Sequence, residues 1–134
     1  TVWIATSDGW LSIVKHLKIP NHLLVRARKE SHIVDQFPAA DVYTDPDADY
    51  PYRANIHMEE VAEFMVNYVE NIDYPNFKNS IPDNDFYDAC TKVWSAMYHY
   101  GTRHRPVFEG ETLDDYGIIY DNERIDYDDE GHVV

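Results

Sequence analysis

A chain of 134 residues, 44% hydrophobic and 14% aromatic, is long enough to bury one core and too apolar to be disordered throughout. Its 25 Asp and Glu against 11 Lys and Arg give a formal charge of −14, a field that repels phosphate backbones and anionic membranes and argues against nucleic-acid or lipid-surface binding. Cys90 is the sole cysteine, so an internal disulfide and a Cys-based zinc cluster are excluded.

In chain order, Val2–Ser7 is β-rich, Asp8-Gly9 reads as a type I′ turn dipeptide, and Trp10–Leu17 resumes a strand, together a hairpin. A turn at Ile19-Pro20-Asn21 leads into Leu23–Arg28, where Leu23, Val25 and Ala27 alternate with Leu24, Arg26 and Arg28. That period of two places two arginines on the face opposite the apolar one. Ser31 is expected to cap a short helix through Phe37, which Pro38 stops. Residues 38–51, rich in Pro and Asp, read as loop. Tyr52–His57 is a fourth strand, with Ala54 and Ile56 on one side and Arg53, Asn55 and His57 on the other.

Glu59–Asn71 carries the clearest helical period, with Val61, Phe64, Met65, Tyr68, Val69 and Ile72 on one face and Glu59 and Glu60 suited to the N-terminal dipole. A loop through Pro75 and Pro82 precedes a second long helix, from Asp83 or Asn84 to about Tyr100. Its stripe is Phe86, Cys90, Val93, Met97 and Tyr100, while Trp94 and Tyr98 lie off the stripe and predict burial on two sides or a partner surface. A small hairpin of Ile118–Tyr120 and Arg124–Tyr127 over Asp121-Asn122 is expected near the end. The order predicts an α+β fold of two layers, a mostly antiparallel sheet of about four strands with helices on one face.

Charge is unevenly spread: residues 105–134 hold 2 basic and 10 acidic groups, net −8 of the total −14. A compact domain over 1–104 followed by an acidic, partly ordered segment over 105–134 is therefore expected. No window approaches the roughly 18 apolar residues of a membrane span. No basic-then-apolar segment opens the chain, so a cytoplasmic location is the expectation.

The blocks Trp3-Ile4-Ala5-Thr6, Val25-Arg26-Ala27-Arg28, Asp47-Ala48-Asp49-Tyr50-Pro51-Tyr52-Arg53, Ile72-Asp73-Tyr74-Pro75-Asn76-Phe77-Lys78 and Val93-Trp94-Ser95-Ala96-Met97-Tyr98 are similar, in order, to those of a family of small uncharacterised bacterial and phage proteins. The resemblance spans roughly residues 2–100 and implies a single compact domain. The family carries no assigned activity, so the resemblance implies none.

Catalytic signatures are missing from the sequence. Asp45-Pro46-Asp47-Ala48-Asp49 places acids like a calcium loop, yet Tyr50 stands where the EF-hand needs glycine and Ile56 where it needs a bidentate Glu. His57-Met58-Glu59-Glu60 lacks the second histidine of a zinc helix, and five glycines leave no phosphate-binding loop. No serine sits in a nucleophile elbow, and Cys90 lies on an apolar stripe as a core residue would. No catalytic residue, metal ligand or cofactor is assigned.

Two features remain. Arg26, Arg28, Arg53 and His57 gather on one sheet face if their strands are neighbours, and planar guanidinium forks suit a phosphate or carboxylate. Structural ion pairing with Asp45, Asp47 or Asp49 is the competing explanation. The acidic end interleaves Asp121, Asp128 and Asp129 with Tyr116, Tyr120 and Tyr127, a mixture that a merely solubilising tail does not need. The expected function is a non-enzymatic acidic binding or regulatory protein engaging a basic protein partner through these residues and Trp94 and Tyr98. Inhibition of a nucleic-acid-processing enzyme by charge mimicry is one form of it. The alternative is a small-ligand-binding or catalytic domain using the arginine face. Self-association through helix aromatics is compatible with both.

Overall fold

The computed structural model describes residues 1–105 and the strands Glu111–Leu113 and Ile119–Asp121. The chain divides into two compact units, Thr1–Asp73 and Tyr74–Val134.

The first unit is α+β. Five strands, β1 (Val2–Thr6), β2 (Gly9–Lys15), β3 (His22–Ala27), β4 (Tyr43–Thr44) and β5 (Tyr52–His57), form one antiparallel sheet in the order β1-β2-β3-β5-β4. The fifth strand beyond the expected four is β4, inside the stretch read as loop. It pairs Tyr43 with Arg53 and Thr44 with Tyr52, and two residues are too few to carry a period.

Strand alternation builds the core. Leu11 and Ile13 of β2, Val25 and Ala27 of β3, and Ala54 and Ile56 of β5 share one face and are all buried. Helix α1 (Glu30–Val34) supplies Ile33, Phe37 follows it, and helix α2 (Met58–Glu70) supplies Val61 and Phe64 to the same cluster. The Phe37 and Phe64 rings lie 4.9 Å apart. Both helices of this unit thus cover one face, and the other face stays free of them.

Two local expectations are corrected. Ser31 does not cap α1; it sits inside the helix, the N-cap position is Lys29, and no side chain caps it. Phe37 is reached through a tight turn whose amide donates to Ile33 O at 2.8 Å. The hairpin turn is not type I′ at Asp8-Gly9. Its tip is Ser7-Asp8, neither residue has a positive φ, and Gly9 opens β2 as a paired strand residue opposite Thr6. Glycine is required there for space: a Cβ would lie 2.5 Å from His32 Cγ. The Ile19-Pro20-Asn21 turn does use the left-handed region, at Asn21 with φ 59°.

The second unit holds a 3-10 turn (Lys78–Ser80) and helix α3 (Asn84–His104). Asp83 caps α3, its Oδ2 accepting from Phe86 N–H at 3.1 Å. Strand β6 (Glu111–Leu113) pairs antiparallel with β7 (Ile119–Asp121). The predicted strand near Ile118–Tyr120 is therefore present, but its partner is upstream; Arg124–Tyr127 lies outside the described residues. Among the described residues no helix is long and apolar enough to cross a membrane.

Candidate functional site

Beside β3 runs β5, and the register sets Arg26 directly opposite Arg53 and His22 opposite His57. The His16 N–H donates to His22 O, which fixes the alternation across the sheet: even-numbered residues of β2 and β3 bond each other. Arg26 and Arg53 are then a pair without ladder bonds between them, the class whose Cα atoms approach to about 4.5 Å. Two arginine side chains therefore leave the sheet from neighbouring positions on the face left free by α1 and α2.

Each guanidinium has a protein contact, and most converge on one corner. Arg28 makes a two-pronged contact to Asp49, Nε to Oδ1 at 3.2 Å and Nη2 to Oδ2 at 3.0 Å. Those hydrogen bonds hold the Arg28 guanidinium above its ordinary pKa. Tyr50, buried, lies beneath two of them, with Arg28 Cζ 4.2 Å and Arg26 Cζ 5.0 Å from its ring centre. Arg53 donates from Nε to Tyr50 O at 3.3 Å, and Arg26 donates from Nη2 to the buried Ser12 hydroxyl at 2.7 Å. Ion pairing with Asp49 thus accounts for Arg28. Among the described residues neither Arg26 nor Arg53 meets a carboxylate, and Arg26 Nε is buried with no acceptor.

His57 is not at this corner. It lies four residues along β5 from Arg53, about 13 Å at strand spacing. Its Nδ1 accepts the Glu59 N–H at 3.1 Å and so caps α2. Its ring meets that of His22 edge-on at 5.1 Å, beside an open cleft of about 470 Å³ lined by Asn21, His57, Met58, Glu59 and Ala62. Among the described residues no three of His, Cys, Asp and Glu come together as a metal-ligand set.

In the second unit Trp94 and Tyr98 stack with ring centres 5.2 Å apart, both half-buried. Lys78, 5% exposed, holds its Nζ 4.3 Å from the centre of the Trp94 ring. One side of the aromatic pair is therefore covered by the chain's own cation. Sequence periodicity did not foresee how the α3 stripe divides: Phe86 and Cys90 are buried, while Val93, Met97 (59%) and Tyr100 (53%) are exposed. Tyr120 and Asp121 lie on β7; Tyr116, Tyr127, Asp128 and Asp129 fall outside the described residues.

Another exposed feature was missed. Trp3, 65% exposed, stands on the free face of β1 with its ring 5.9 Å from that of Trp10. The signal was present in Val2–Thr6, a strand with no charge, proline or glycine at what proves to be the sheet's edge.

Comparison of the chain with protein-family models, with curated proteins and with solved structures returned no match.

Proposed function

We propose that the chain is a non-enzymatic acidic protein that captures a basic protein partner, and that a nucleic-acid-processing enzyme blocked by charge mimicry is the partner class that fits. The observation that carries this is the unneutralised carboxylate surplus. Residues 1–105 hold 15 Asp and Glu, and among the described residues Asp49 is the one in an ion pair. A further ten acids lie in 105–134. The described carboxylates other than Asp49 are available to a partner's lysines and arginines, and such complementarity governs the rate of encounter and the choice of partner.

Capture is followed by burial of apolar side chains. The exposed α3 face of Val93, Met97 and Tyr100 adds to Trp94, Tyr98, Tyr116, Tyr120 and Tyr127 as anchors, with Asp121, Asp128 and Asp129 supplying charge. Membership in the family of bacterial and phage proteins that residues 2–100 resemble, and a cytoplasmic location, belong to the same proposal. The test is capture from lysate at low salt by the full chain and by a full chain with Asp121, Asp128 and Asp129 changed to Asn. Basic proteins held by the first and weakly by the second are expected; equal retention overturns the role given to these acids.

A second reading is favoured by the Arg26–Arg53 pair. Like charges facing across strands destabilise a sheet unless an anion lies between them. A phosphate- or carboxylate-bearing small molecule would take that position, donated to by both guanidinium groups. Isothermal titration with inorganic phosphate checks it: binding lost in both Arg26→Gln and Arg53→Gln is the expected result, and absence of binding by the native chain overturns it.

A further inference from the structure

The two edges of the sheet in the first unit are treated differently. One ends in β4, two residues long and followed at once by Asp45 and Pro46, a combination that leaves little backbone to pair with. The other ends in β1, five residues without charge, proline or glycine. Odd-numbered residues of β2 bond β1, because the even ones are committed to β3. Val2, Ile4 and Thr6 therefore take those bonds, and the backbone N–H and C=O groups of Trp3 and Ala5 point away from the sheet.

Side chains along this edge alternate as well. Ile4 packs against the core cluster and Val2, 51% exposed, lies on the same side, whereas Trp3 stands on the opposite face beside Trp10. An added strand would thus meet apolar side chains on one face and an exposed indole on the other. The indole face attracts a lysine or arginine.

We propose that the β1 edge is a strand-addition site for an extended segment of the basic partner, one whose side chains alternate apolar and basic. It rests on the acidic-capture reading and specifies how the captured partner is held. Main-chain bonds to Trp3 and Ala5 supply the ladder, apolar residues extend the core beside Val2 and Ile4, and basic residues stack on Trp3. A second copy of the chain is the less suited occupant, since each copy carries −14 and the first unit alone has 12 acids against 6 bases.

The test uses the full chain and two peptides of alternating lysine and valine, identical except that one carries an N-methyl group on every amide. Both have the same charge; only the unmodified one can extend a ladder. The expected result is binding of the unmodified peptide about tenfold or more tightly, with slowed hydrogen exchange at the Trp3 and Ala5 amides and weakening in Trp3→Lys. Equal binding of both peptides without protection of those amides overturns strand addition and leaves acidic capture standing. Failure of both peptides to bind at low salt overturns both readings. Protection of Trp3 and Ala5 without peptide, rising with protein concentration, overturns the proposal in favour of a second copy.

Discussion

At Gly9 the fold leaves no room for a side chain, for a Cβ there would press into the His32 ring. Gly9→Ala is expected to destabilise by about 1–3 kcal/mol, read by chemical denaturation, because the ring must shift within a packed hairpin. His32 Nδ1 also accepts the Trp10 N–H at 3.1 Å, so a displaced ring loses that bond too. The glycine was legible in the sequence as a turn signal, but for the wrong reason: composition cannot distinguish a glycine needed for its φ from one needed for its missing Cβ.

Histidine tautomers at the β3–β5 end follow from the same kind of detail. His57 Nδ1 accepts from Glu59 N–H, which leaves its proton on Nε2, whereas His22 Nδ1 lies 2.9 Å from Pro20 O and must carry the proton to donate. Nitrogen NMR of the neutral rings is expected to report opposite tautomers for the two; matching tautomers would contradict the capping role of His57. Cys90, buried on α3, has its thiol pushed up by burial. Its folded value lies above its unfolded one, so its stabilising contribution is complete below the ordinary thiol range and lost as pH rises through the folded value. Iodoacetamide at mildly alkaline pH should label native protein slowly and denatured protein fast; equal rates would place Cys90 at the surface.

Among the elements, those with a sustained period were readable and those defined by a single contact were not. Alternation put Arg26 and Arg28 on one side of one strand and Arg53 and His57 on one side of another, to share a face only if the strands were neighbours, and the register makes them neighbours with Arg26 against Arg53. What alternation lacks is reach along the strand, so it grouped His57 with arginines about 13 Å away. Strand β4 and the β6–β7 pairing escaped because two or three residues leave no period to detect. The α3 stripe shows a further limit. Helical spacing identifies a common face, but where along 21 residues that face stops being covered depends on what packs against it. Leu11→Ala, in the core of the first unit, is accordingly expected to cost about 2–5 kcal/mol. Met97→Ser on the exposed part of α3 should stay within about 0.5 kcal/mol. Thermal or denaturant unfolding compares them, and a large loss for Met97→Ser would mean that face is covered.

Over the whole molecule, charge is the property that distinguishes this chain. Fourteen more acids than bases, with Asp49 alone among the described carboxylates in an ion pair, leave a field that internal pairing does not cancel. Such a field weakens as salt shortens its range to about 10 Å at 0.1 M. The arginine pair, the indole at the sheet edge and the exposed α3 face are the places where the proposed capture would hold a molecule, and their roles separate by substitution. The proposed capture does not depend on which of them acts. The most direct measurement is therefore quantitative capture of basic proteins by the full-length chain across a salt series. The account predicts strong retention at low salt that falls steeply as salt rises. Retention that stays flat across the series, or no basic protein retained at any salt, would contradict it.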